Sequence, residues 1–171
     1  MGVKNETRPI IVAGCGRSGT HWLGGIIEQV LGPGVGAWEP PDYRDVSDVV
    51  VDSRLRHRIK DFEEAGHPIV HLVRDGRDVV RSLYTWYSRS RGPNDEPILK
   101  ADGLFKKCCG EWSDAIDKMY GYRRVRLEDL NATDRDTSSY HAIPHHTEWS
   151  RAQREMFWHI CEHAMKLHGY K

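Results

Sequence analysis

The chain predicts an α/β fold in three layers, a parallel sheet with helices on both faces. Short apolar runs alternate with helical stretches from end to end, the pattern of strands joined by crossover helices. The first apolar run, Ile10-Ile11-Val12-Ala13, passes directly into Gly14-Cys15-Gly16-Arg17-Ser18-Gly19-Thr20-His21-Trp22, a strand, a glycine-rich loop and a helix start. Polar residues also follow other apolar runs at Asp52-Ser53-Arg54 and Arg74-Asp75. These are carboxyl ends of strands, the rim where such sheets bind ligands.

The elements follow in order. A strand over Pro9–Ala13 leads to a helix from Ser18 to Leu31, which Gly32-Pro33-Gly34 stops. Val35–Trp38 reads as a short extended piece before Glu39-Pro40-Pro41, and Val49-Val50-Val51 as a buried strand ending at Asp52. Arg54–Ala65 reads as a charged helix closed by Gly66, Pro68–Val73 as the next strand, and Gly76–Ser88 as a helix. Gly92-Pro93-Asn94-Asp95 and Pro97 make Ser90–Ala101 a long loop. A helix over Leu104–Met119, a strand over Arg123–Leu127, a polar loop over Asn131–Thr147 and a helix over Ser150–His168 complete the chain. It carries no internal repeat and no low-complexity block. All 171 residues are expected to form a single domain, large enough to bury roughly two thirds of its unfolded surface.

Composition narrows the class. Lys plus Arg and Asp plus Glu number 25 each, so no global field favours nucleic acid or an anionic membrane. No stretch approaches the ~20 apolar residues of a membrane helix, and the polar start lacks a signal core. A cytoplasmic protein is expected, with the sequons at Asn5 and Asn131 unused. Cys15, Cys108, Cys109 and Cys161 do not form a spaced disulfide framework. Cys15 lies in the glycine-rich loop, where positive potential would lower a thiol pKa, but a small loop filler is the preferred reading.

A loop of this kind holds phosphate. Its N–H groups and those of the first helical turn point inward, and the helix dipole adds positive potential. Gly14 and Gly19 have the separation of the nucleotide P-loop, yet Thr20 and His21 stand where ATP- and GTP-binding loops need Lys and then Ser or Thr. The cation is displaced to Arg17. A kinase or NTPase, with Val49–Asp52 as its magnesium-binding strand, therefore lacks its key lysine.

A basic residue followed by Ser-Gly-Thr-x-Trp resembles the 5′-phosphosulfate loop of the sulfotransferases, which take their sulfuryl group from 3′-phosphoadenosine 5′-phosphosulfate (PAPS). His71-Leu72-Val73-Arg74-Asp75-Gly76-Arg77-Asp78-Val79-Val80-Arg81-Ser82 is similar to that family's 3′-phosphate motif, an apolar strand, Arg-Asp-x-Arg-Asp, and a serine eight residues after the first arginine. Arg74 leaves the strand end and Ser82 lies about two helical turns on, so a guanidinium fork and a hydroxyl can meet one phosphate. Asp75 and Asp78 also fit an N-cap and a first-turn anion. Arg126-Leu127-Glu128-Asp129-Leu130 resembles the late Arg-Tyr-Glu-Asp-Leu signature with Leu127 replacing the aromatic, and Leu167-His168-Gly169-Tyr170 resembles the family's ending.

The resemblance implies a P-loop-like sulfotransferase fold and a set of roles. Arg17 would stabilise charge as the S–O bond to the leaving phosphate breaks. Ser18, Gly19, Thr20 and His21 would hold the 5′-phosphate, although His21 departs from the usual threonine. Trp22 matches the adenine-stacking aromatic, and packing within the helix is its alternative. Arg74 and Ser82 would hold the 3′-phosphate. Glu39 resembles the general base of those members that use a glutamate, with a solvated loop carboxylate as the alternative; His57 and His67 lack the context of a histidine base. Arg126 is either a further cation at the rim or the partner of Glu128. No metal is implied, since arginines and the helix dipole neutralise the moving charge.

The acceptor class is open: a small molecule, glycan, lipid or peptide bearing a hydroxyl or amine. The segment Ser88–Lys100, with Trp86, Tyr87, Arg89 and Arg91 near its entrance, reads as a lid or acceptor wall, with ordinary helix-end residues as an equal alternative. A non-catalytic PAPS- or nucleotide-binding module is the alternative from another class. His159-Ile160-Cys161-Glu162-His163 matches a zinc-peptidase pattern, but only eight residues follow it, and a solvated helix face is the preferred reading. His141, His145 and His146 form a loop cluster read as polar surface, with a structural metal site as the alternative. No feature sets the oligomeric state.

Overall fold

The computed structural model describes residues 8–32, 35–40, 42–46, 48–89, 101–130 and 149–171. Its chain falls into two compact units, residues 1–73 with 118–126 and residues 74–117 with 127–171.

The first unit holds the sheet. Strands β1 (Ile10–Gly14), β2 (Gly36–Trp38), β3 (Val49–Val51), β4 (Ile69–Val73) and β5 (Arg123–Arg126) lie in the order β2-β3-β1-β4-β5. Every pairing is parallel, with Val12 beside Val51 on one side and Val70 on the other. The carboxyl ends of all five strands therefore share one edge. Successive strand residues face opposite sides, and Ile11, Val12 and Ala13 are only 0%, 5% and 0% exposed. Both faces of β1 are thus covered, as an all-parallel sheet requires.

Helix α1 (Thr20–Leu31) packs on β2 and β3. A 3-10 helix, Ser53–Arg58, lies along β1 and runs into α2 (Ile59–Glu64) beside β4. Ile11, Ala13, Val50, Leu55, Phe62 and Met119 form the shared core.

The second unit is helical: α3 (Gly76–Arg89), α4 (Ala101–Lys118), α5 (Leu127–Leu130) and α6 (Arg151–Leu167). Trp112 is fully buried and its ring fills the space where a side chain at Gly76 would stand, 2.7 Å from the Cβ position. Phe105 meets Trp149 edge-to-face and Trp149 lies tilted against Phe157, with centroids 5.1 and 5.2 Å apart. Cys108, Cys109 and Cys161 are buried here, packing as small apolar residues. Ser150 caps α6 through a reciprocal box with Gln153.

The elements depart from expectation at their edges. Residues 54–65 do not form one helix, because Arg58 (φ −121, ψ 20) breaks the 3-10 segment from α2. Helix α1 starts at Thr20 rather than Ser18, since Gly19 has φ 94. Strand β5 ends at Arg126 and Leu127 opens α5, which the sequence did not announce; the same holds for a 3-10 turn at Tyr43–Asp45. Helix α4 begins at Ala101, three residues early. The expected loops over 90–100 and 131–147 lie outside the described residues.

Candidate active site

The glycine-rich loop joins β1 to α1. At Gly14 an added Cβ would stand 2.3 Å from the Leu72 carbonyl oxygen of β4, so backbone alone fits where the strand enters the loop. Ser18 donates its N–H to Cys15 O at 3.1 Å, closing a tight turn. Arg17 at φ 68 and Gly19 at φ 94 both adopt left-handed backbone there. Glycine does so freely, whereas an arginine pays about 1–2 kcal/mol. The turn buries Ser18 and Thr20 and leaves Arg17 and His21 exposed, with Trp22 half-buried.

Helix α1 opens without an anion of its own. Gly19, its N-cap, offers no side-chain acceptor, and the first turn holds no acidic residue. Its leading amides and the positive end of its dipole therefore meet the loop uncapped by side chains. This chemistry fits a phosphate: small residues permit close approach, amides supply donors, and Arg17 supplies charge.

Glu39 follows β2. Its N–H donates to Val51 O at 2.9 Å, which keeps it beside the end of β3. Its backbone is left-handed too, at φ 45; Arg17 and Glu39 are the two non-glycine residues with positive φ among those described. Strain of this kind costs on the order of 1–3 kcal/mol and concentrates at functional sites.

Glu39 borders a cavity of about 350 Å³ lined also by Tyr43, Asp52, Arg54, Leu55 and Arg58. Asp52 is 3% exposed, and its carboxylate accepts from the Arg54 N–H at 2.7 Å, Nε at 3.0 Å and Nη2 at 2.6 Å. These bonds to Asp52 push the Arg54 guanidinium above its ordinary pKa range, and the Glu39 carboxylate acts in the same direction. Asp52 is thus tied to an arginine on two oxygens, an arrangement unlike the open magnesium-binding aspartate of an NTPase.

The second expected motif begins the helical unit. Asp75 caps α3, accepting the Arg77 N–H at 2.8 Å while its carboxylate also clamps the Arg77 guanidinium. The cap expected of Asp75 is therefore present. Asp78, in the first turn, accepts from Arg74 Nη2 at 3.2 Å and lies 3.8 Å from Arg81 Nη2. Three guanidiniums thus share two carboxylates. Ser82 is half-buried on the same helix.

The remaining nominations separate. His67 faces Pro9 O at 3.0 Å through Nδ1 and packs its ring edge-on against Tyr43 and Phe62, a structural role; His57 is exposed. His159 and His163 are exposed on α6, where Glu162 pairs with Lys166 at 2.6 Å. Among the described residues no three His, Cys, Asp or Glu side chains gather as metal ligands. Arg126 ends β5 half-buried. Cys15 is buried, in keeping with a loop filler.

Near the expected lid, Tyr87 donates to Glu111 at 2.9 Å with Lys107 above its ring, while Trp86 and Arg89 are exposed. Arg91, the cluster of His141, His145 and His146, and both Asn5 and Asn131 lie outside the described residues. Sequence reasoning missed Tyr43 and Arg58 as cavity residues; neither carries a local motif. It also missed the bonds of Glu128, whose Oε1 accepts the Asp75 N–H at 2.8 Å and whose Oε2 accepts the Tyr170 hydroxyl at 3.0 Å.

This fold is the sulfotransferase fold. Among solved structures the chain is similar to the mouse sulfotransferase SULT7A1, determined in complex with PAP, at a TM-score of 0.53 and 17% identity. The match covers 72% of this chain and 53% of that one, so the chain spans about half the length of that enzyme. No protein-family model and no curated protein matches the sequence. No helix among the described residues is long and apolar enough to cross a membrane.

Proposed function

We propose that the protein is a PAPS-dependent sulfotransferase. The observation that carries this reading is the coincidence of strain and motif in a chain of sulfotransferase fold. The two residues that the motifs nominate for chemistry, Arg17 and Glu39, are, among the described residues, the two non-glycine residues held in left-handed backbone.

In this reading Ser18, Gly19, Thr20 and His21 bind the 5′-phosphate at the start of α1, and Trp22 stacks on adenine. Arg74 and Ser82 bind the 3′-phosphate. The acceptor oxygen or nitrogen attacks sulfur in line and forms the new bond to it. The S–O bond to the 5′-phosphate breaks, and its electron pair leaves on adenosine 3′,5′-bisphosphate. The acceptor's proton passes to the Glu39 carboxylate. Arg17 and the α1 dipole stabilise the negative charge growing on the leaving phosphate, so the reading assigns no metal.

The acceptor is a small molecule, glycan, lipid or peptide. The balanced charge supports no nucleic-acid partner. We place it in the cytoplasm, a reducing compartment, where four buried cysteines are expected to serve as packing residues.

The test is transfer of radiolabelled sulfate from PAPS, in EDTA, to panels of glycans, phenols, lipids and peptides. Label in any acceptor is the expected result. Tight donor binding with neither transfer nor hydrolysis would instead establish a non-catalytic PAPS-binding module.

A further inference from the structure

Two signatures have no part in the donor reading: Glu128, just past β5, and Tyr170, at the chain's end. They meet within the helical unit. Helix α6 ends in a reversal in which Gly169 at φ 74 lets Tyr170 N–H donate to Met165 O at 3.0 Å, and Gly169 N–H donate to Lys166 O at 3.1 Å. This paired pattern is a Schellman cap. It turns Tyr170 back so that the residue is only 7% exposed and its hydroxyl donates to Glu128 Oε2 at 3.0 Å. The other oxygen of that carboxylate accepts the Asp75 N–H at 2.8 Å.

That N–H belongs to the same planar peptide as the Arg74 carbonyl. Fixing it fixes the backbone at the root of the Arg74 side chain, while Asp78 holds the guanidinium at its tip, 3.2 Å away. Asp75 is further tied through its own carboxylate to Arg77. A charged acceptor makes the Glu128 bond one of the stronger kind.

We propose that Glu128 and Tyr170 are positioning residues that preorganise Arg74 for a ligand's 3′-phosphate. The proposal rests on the donor reading above. Without the Tyr170–Glu128 brace the Arg74–Asp75 peptide gains freedom that the ligand must then remove on binding. The loss should fall on ligands bearing a 3′-phosphate and spare those without one.

The experiment titrates adenosine 3′,5′-bisphosphate and AMP, in EDTA, into wild type, Tyr170→Phe, Glu128→Ala and Glu128→Gln. The expected preference for the bisphosphate falls about threefold in Tyr170→Phe and about tenfold in Glu128→Ala. Glu128→Gln keeps most of it, because an amide oxygen still accepts from Asp75. AMP affinity is unchanged throughout, and exchange of the Asp75 amide proton quickens in Glu128→Ala. Should Glu128→Ala not fold, Tyr170→Phe, which keeps the buried ring, decides.

An unchanged bisphosphate preference in the folded variants would overturn the proposal, as would equal loss of both ligands. A wild type with no preference would overturn the donor reading itself, and the proposal with it.

Discussion

Glu39→Gln should lower turnover roughly a hundredfold or more, the usual size of general-base catalysis, with donor affinity unchanged. Glutamine keeps the shape of the side chain and its capacity to accept a hydrogen bond, but it cannot take the acceptor's proton. The segment is built for rigidity. Glu39 donates its N–H to Val51 O, holds a left-handed φ of 45, and precedes Pro40, whose ring fixes the next φ. The Arg54 guanidinium, itself gripped by Asp52, places positive charge near the carboxylate. Steady-state transfer rates, with product affinity measured by calorimetry, check the outcome. Near-normal turnover would remove Glu39 as the base and direct attention to the exposed His57.

Arg17→Ala should reduce transfer on the order of a hundredfold to a thousandfold, but reduce affinity for adenosine 3′,5′-bisphosphate only about tenfold. The asymmetry follows from the proposed role: negative charge on the leaving phosphate grows as the S–O bond breaks, so a guanidinium beside it would interact most strongly with the transition state. Rate and product affinity falling in equal proportion would make Arg17 an anchor for phosphate and nothing more. The strain at φ 68 offers a control. Arg17→Gly should be more stable than Arg17→Ala by about 1 kcal/mol, since glycine enters left-handed backbone without penalty, and urea unfolding of the two variants reads that difference.

What could be read from the sequence was local. The run from Ile10 into Gly14–Thr20 announces strand, loop and helix because apolar β-branched residues, glycines and a helix start occur within one short window. Val49–Val51 and the apolar residues before Arg74 are legible for the same reason, and Asp75 caps α3 through contacts two residues away. The four-residue α5 and the 3-10 turn at Tyr43–Asp45 are too short to show a period. Left-handed backbone at Glu39 leaves no mark in residue type, since glutamate is not a residue that prefers it. The Asp52–Arg54 pair was within reach of a local reading, yet Asp52 after three valines looks equally like a metal-binding strand end. Contacts from Glu128 to Asp75 and Tyr170 span 53 and 42 residues, so only the folded chain reveals them, although both signatures stand out in the sequence.

In the proposed reading the protein selects a nucleotide carrying both a 5′- and a 3′-phosphate and needs no metal to do so. Calorimetric titration of adenosine 3′,5′-bisphosphate and of AMP, each with EDTA present, tests it most directly. Charge-assisted bonds contribute about 1.5–3 kcal/mol each, so the Arg74 and Ser82 contacts should make the bisphosphate bind at least about tenfold tighter. Equal affinities, or binding of ATP that depends on magnesium, would contradict the account.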